Sequence, residues 1–331
     1  MPSWLLIITG LVLITIAMID VLWSTVSTNG GGPIAMRVAH GCWALGLLVF
    51  RRLRLHRILE FNTVVILVAT FLVWVIPMWV GWTLIFSAGE GVVIHQTSGE
   101  IAGLRDRAYF SGMVFLTLGS GDFVAQGANW RLATIAASLN GLVVITLTIT
   151  YLLSVMSAAI EKRQLAIAIR AAGQTPSEIL ANAWNGDDFA ALEDRLYSFS
   201  VQLILHAERH LAYPVLQYFH PTDREAALPV ALALLDDTTT LLSHCLDENQ
   251  RFSETTMHSL HGALEVYIRR VQLKHISDID HPPPIPKLQS LREQGVPICD
   301  EQDAQKAFAE RVEFRCTLQG LLHAEGWQWP H

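Results

Sequence analysis

Trp4–Trp23, Val64–Phe86 and Leu132–Met156 each run for 20 residues or more, and Asp20 is the single charged residue among them. A helix needs about 20 consecutive apolar residues to cross the hydrocarbon core of a bilayer. These runs decide the fold class before anything else is read: the chain crosses a membrane as helices. A fourth run, Pro33–Phe50, is shorter and carries Arg37 and His40, and it completes a set of four spans. The first run reads as an anchor, because Met-Pro-Ser supplies no basic segment ahead of it and no A-x-A cleavage site follows.

Charge divides the chain in two. Residues 1–157 hold 8 Arg/Lys and 6 Asp/Glu, whereas residues 158–331 hold 15 and 24. The first part is a membrane domain and the second a water-facing, acidic one. An acidic domain offers no basic patch for nucleic acid. Cys42, Cys245, Cys299 and Cys316 form no C-x-x-C pair, and they read as free thiols, with neither a disulfide framework nor a metal site. The basic loops set direction. "FRRLRLHR" (50–57) lies between spans two and three and "EKR" (161–163) follows span four. The positive-inside rule puts both in the cytoplasm. The chain then crosses the cell (inner, plasma) membrane four times with both termini cytoplasmic. Two segments face out: the turn-rich "STNGGGP" (27–33) and the long 87–129.

Segment 87–129 contains "FLTLGSGDF" (115–123), two glycines, two hydroxyls and a carboxylate in one short run. Just before it, "AYFSGMVFL" (108–116) is apolar and long enough for two helical turns, but far too short to span. A short helix, an extended polar strand and then a full span is the pattern of a re-entrant loop. Irregular backbone at membrane depth is tolerated only where it is buried in protein or lines water. An ordinary outer loop would leave the apolar stretch running into Thr-Leu-Gly unexplained.

Thr117-Leu118-Gly119-Ser120-Gly121-Asp122 resembles the T-V-G-Y-G-D filter of tetrameric potassium-channel-like pores, and the layout resembles bacterial members with two extra N-terminal spans. The likeness covers roughly residues 60–157. It implies a pore domain of outer helix, pore helix, filter and inner helix (59–157) behind two N-terminal spans (1–58), and with the helical periodicity of the cytoplasmic domain (158–331) the whole reads as an all-α membrane protein of three parts. It implies Tyr109 and Phe110 as pore-helix aromatics supporting the filter, Asp122 behind its outer mouth, and Gly141 near the inner-helix hinge. The ion-binding residues would be Thr117, Leu118, Gly119, Ser120 and Gly121. A dehydrated cation needs oxygen dipoles in place of its water shell. Backbone carbonyls can all turn one way only when some residues adopt positive φ, which glycine does cheaply. The carbonyls of Thr117 to Ser120 would stack as sites, Leu118 would point back into packing, and the pore helix would aim its partially negative end at a cation.

This sequence departs from the family at two positions. Met113 stands where some members have a glutamate, so Asp122 lacks that partner and is either a filter support or a solvated loop carboxylate. Ser120 replaces the usual aromatic strut. Either Phe115 or Phe123 fills that space, or the filter is wider and passes sodium as well as potassium. One such loop per chain and no internal repeat require four chains for a closed ring. The expectation is a homotetrameric channel for monovalent cations, potassium foremost, with potassium ions in the filter and no other cofactor. A weakly selective cation channel and a non-conducting sensor or transporter are the alternatives. Asn140 and Thr148 either line the cavity or bond between helices. Asp20 and Arg37 make a plausible ion pair, and the arginines at 51–57 are not spaced as a voltage sensor.

Beyond 157 the chain reads as helices near 188–212, 223–248, 254–276 and 302–324, with Thr175, Pro176 and Glu178 opening another as a capping box. "HPPPIP" (281–286) is a stiff link. There is no dinucleotide fingerprint, G-x-S-x-G, H-E-x-x-H or phosphate loop, so no enzyme activity and no catalytic residue is read, and no ligand of this domain is legible. His206/His210 and His258/His261 are each near one helical turn apart. They bind metal, titrate with cytoplasmic pH, or simply pack.

Overall fold

Each apolar run folds as a helix longer than itself: α1 (Ser3–Val26), α2 (Pro33–Leu53), α3 (Arg57–Phe86) and α5 (Ala128–Arg170), all four long and apolar enough to cross a membrane. The structure is a computed structural model that describes residues 2–53, 57–119, 121–246, 252–271 and 281–330. Its contacts divide the chain into two units, Met1–Met156 and Ser157–His331, so that α1 and α2 share a unit with the helices of segment 59–156.

The first unit is tied together by Asp20. The first amides of any helix lack an intrahelical acceptor, and its N-terminus carries a partial positive charge. Asp20, only 1% exposed, supplies both acceptor and charge to α2 from the neighbouring α1. Its Oδ1 accepts the Ile34 N–H (2.8 Å) and its Oδ2 the Ala35 N–H (3.1 Å). Oδ2 also accepts the Trp74 indole N–H of α3 (2.8 Å). The expected pairing with Arg37 is thereby corrected: the carboxylate is satisfied by three neutral donors, and no ion pair joins it to Arg37. Trp74 is buried and meets the Tyr151 ring of α5 edge-on at 5.5 Å.

Between α3 and α5 lies α4 (Leu104–Phe115), flanked by β1 (Val93–His95) and β2 (Phe123–Ala125). The strands pair antiparallel, with Val93 opposite Ala125, Ile94 opposite Val124 and His95 opposite Phe123. This short ribbon is an addition to the helices that the sequence reading did not foresee. Val92-Val93-Ile94 is a β-branched run, and such residues suit a pleated, half-buried surface.

The second unit is built on α8 (Leu228–His244), buried from Leu228 to Leu242 on every side. A helix without a polar face sits at the centre of its core. Packed with it in one core are residues of α6 (Pro176–Ala183), α7 (Ala190–Ala212), α9 (Glu254–Arg270), α10 (Gln289–Glu293), α11 (Glu301–Glu310) and α12 (Val312–Ala324). Thr175 caps α6 as expected, accepting the Glu178 N–H, but Glu178 reaches back to the Gln174 N–H and not to Thr175. The expected single helix over 302–324 is two, parted at Arg311. Two buried carboxylates of α8 find arginines. Asp236 pairs with Arg311 at 2.6 Å, and Asp237 with Arg315 at 2.9 Å. The Arg315 guanidinium also donates to the Pro283 and Pro284 carbonyls of the proline-rich link, and the Trp329 indole N–H donates to Asp237.

Candidate functional site

The loop that follows α4 begins with a helix stop. The Thr117 N–H donates to the Val114 carbonyl (3.0 Å) and the Leu118 N–H to the Met113 carbonyl (2.8 Å). That is a Schellman closure, whose pivot residue adopts a left-handed conformation and is usually glycine. Here the pivot is Thr117, at φ +59°, the one described non-glycine residue with positive φ. A β-branched side chain there is a genuine outlier, costing roughly 1–2 kcal/mol. Gly119 (φ +113°) and Gly121 (φ +61°) repeat the handedness at every second position. Strain held in place against propensity is typical of ligand clamps.

Hydrogen bonds from three side chains hold α4 in place. The Trp79 indole N–H of α3 donates to the Ala108 carbonyl (2.9 Å). Arg107 donates to the Ala102 and Ser87 carbonyls (2.9 and 3.3 Å). The Ser138 hydroxyl of α5 donates to the Val114 carbonyl (3.2 Å). Phe110, fully buried, packs edge-on against Phe86 at 5.1 Å. At Gly141 the helices touch backbone to side: a methyl group added there would coincide with the Phe115 carbonyl oxygen. Gly141 therefore lies where α5 needs room for the end of α4, inside an unbroken helix.

Tyr109 is 45% exposed, meets the Phe123 ring edge-on at 6.2 Å, and sets its hydroxyl 2.9 Å from where a Gly121 Cβ would be. Phe123 also meets His95 at 5.5 Å. Of the two aromatics considered for the missing strut, Phe123 faces the supporting tyrosine, and Phe115 is buried at the α4–α5 contact. Ser120 lies outside the described residues. Leu118, expected to point back into packing, is 66% exposed in the single chain. Asp122 is exposed, and its carboxylate has no hydrogen-bond partner among the described residues; its main-chain carbonyl accepts the Gln96 N–H (2.8 Å) instead.

Asn140 accepts the Trp82 indole N–H of α3 at 3.0 Å, and Thr148 returns its hydroxyl to the Val144 carbonyl of its own helix at 2.7 Å. Both are thus occupied within the chain. In the second unit, His206 and His210 face the core, and His210 lies 3.4 Å from the Tyr267 hydroxyl. Burial, then the nearby Lys162, pushes His206 down to about 4, and burial holds His210 well below its ordinary value. Burial likewise pushes His261 down to about 4. No group of three or more metal-ligating side chains occurs among the described residues.

Sequence reasoning found the loop, its glycines and its aromatics. It missed the ribbon, the Trp79 and Trp82 moorings and the left-handed Thr117. Tryptophans inside a span carry an N–H that needs a partner when buried, and that was the available signal. A family model described as an ion channel matches residues 63–158, which run from α3 through α4 and the loop into α5. The chain is 32% identical over 326 residues to YdjJ of Bacillus subtilis (strain 168), described as an uncharacterized membrane protein, covering 98% of this chain and 95% of that one. No solved structure matches the chain.

Proposed function

The chain belongs to the YdjJ family of membrane proteins and carries an ion-channel domain, and from that premise we propose that it conducts monovalent cations, potassium foremost, through a ring of backbone carbonyls from four copies. One observation carries the reading: positive φ at Thr117, Gly119 and Gly121, directly after a helix of 12 residues. Alternating handedness is what lets successive carbonyls face one way, and the helix end adds partial negative charge beside them. A flexible side-chain cage would not need a threonine held at such φ.

The chain supplies one loop, so a closed ring takes four copies around an axis. Phe123 against Tyr109 supports a braced, narrow filter and hence potassium. Serine at position 120 favours the second reading, a weakly selective cation pore. The acidic second unit would lie in the cytoplasm, reached through α5. Purified protein in liposomes loaded with a thallium-sensitive dye tests the proposal. Thallium influx that potassium competes for is expected, with none in Gly121→Ala. Absence of influx in the parent protein would move the reading to a non-conducting sensor or transporter.

A further inference from the structure

The last turn of α5 buries a cation that the chain leaves short of acceptors. Arg170 is 7% exposed. Its guanidinium donates from Nη2 to the Gln174 amide oxygen. Nε and Nη1 are closed off from water and have no partner among the described residues, and no described carboxylate forms an ion pair with it. Arg315, the other buried arginine described in this unit, is housed differently. It meets Asp237, two proline carbonyls and the faces of Phe308 and Trp329. A buried charge is retained at low cost only when it is paired and hydrogen-bonded, so an acceptor is missing at Arg170.

The surroundings add positive charge. Arg163 lies two turns earlier on the same face of α5 and meets Asp223 at 3.7 Å, which lays the turn 223–226 along that face. Arg224, exposed, comes within electrostatic reach of Arg170 from this turn, and so does Glu225. Glu225 bridges neither arginine. Arg224 is itself held by the Gln328 and Trp329 carbonyls, both at 3.3 Å. A carboxylate fills one guanidinium fork, whereas a tetrahedral phosphate offers oxygens to two, and guanidinium is the planar donor that suits phosphate. Gln174 supplies a neutral oxygen where this pair of cations calls for an anion. Its side chain is exposed and is held by one further bond, from Nε2 to the Arg170 carbonyl (3.2 Å), so its outward swing uncovers the guanidinium. We propose that Arg170, with Arg224 beside it, binds the phosphate group of a soluble ligand, whose oxygen displaces the Gln174 amide. The apolar run ends at Met156, and α5 continues to Arg170 over about 21 Å of helix, past the depth of a headgroup layer. This site belongs to one chain and needs neither conduction nor a second copy.

The test titrates the full chain in neutral detergent with inorganic phosphate at constant ionic strength, following the thermal midpoint by tryptophan fluorescence. Phosphate also stabilises proteins without binding a site, so Arg170→Met sets the background. A saturable rise above that background is expected, with half-saturation weakened about tenfold in Arg224→Ala. Gln174→Glu supplies the anion from within the chain; it is expected to raise the midpoint without phosphate and to abolish the response. The same rise in the parent and in Arg170→Met overturns the site, as does a Gln174→Glu chain that responds like the parent. Equal protection by acetate overturns phosphate in favour of a carboxylate. Protection by phosphatidic acid in nanodiscs, with soluble phosphate inert, overturns the soluble ligand in favour of a lipid headgroup.

Discussion

At the scale of single residues, the site depends on Thr117, Gly121 and Gly141 having the conformations and clearances they have. Thr117 pays for its left-handed turn with stability, so Thr117→Gly should raise the thermal midpoint of the detergent-solubilised protein, a gain of about 1 kcal/mol, while lowering ion flux through loss of the hydroxyl and of a fixed turn. A fall in stability would show that the threonine is not strained. Gly121→Ala places a methyl group in a conformation L-residues avoid and against the Tyr109 hydroxyl, and should abolish flux while α3, α4 and α5 remain helical by circular dichroism. Much of this was legible. Two glycines one residue apart after an apolar half-helix announce a turn that only a few backbones can make. Thr117 was not, because propensity argues against the conformation that helix closure imposes on it. Nor was the close approach at Gly141: a glycine inside a helical pattern marks either flexibility or close approach, and the position of the Phe115 carbonyl shows the latter.

Among elements, α1 and α8 show opposite ways of housing a buried carboxylate. Asp20 is held by three N–H donors, so Asp20→Ala orphans all of them. At about 1–3 kcal/mol for each buried donor left unmet, α2 should detach from α1 and α3, read as a gain in hydrogen exchange over residues 33–40. Asp237 is held by an arginine. Removing one partner of a buried pair costs roughly 3–5 kcal/mol, whereas replacing both by apolar residues is often neutral. Arg315→Met should therefore destabilise the second unit, and Arg315→Met with Asp237→Leu should recover most of the loss in thermal denaturation. Histidine sets an acid response. His206 is pushed down to about 4 from an ordinary 6.5 by burial and Lys162, so the unfolded chain binds its proton first. The stability it contributes is present above pH 6.5 and is lost as pH falls toward 4. His206→Gln should accordingly lose less stability than the parent over that interval. The helical pattern of this unit was readable from periodicity. The break at Arg311 was not, since 302–324 keeps one helical period through residues that α8 draws apart by pairing.

For the whole molecule, the membrane half was the more legible because a bilayer demands length and apolarity, which any sequence displays. The second half packs helix on helix with no such external ruler, and only its helices were foreseen. The ribbon beside the loop escaped notice because strands of three residues leave hardly any period to read. The proposed conduction rests on four loops meeting. The most direct measurement is the reversal potential of the purified protein in a planar bilayer, with potassium on one side and sodium on the other at equal concentration. A clear displacement from zero, of the sign that potassium permeation sets, is expected. A current reversing at zero would contradict a carbonyl filter that prefers potassium, and the lack of any current through a fully assembled tetramer would contradict the pore itself.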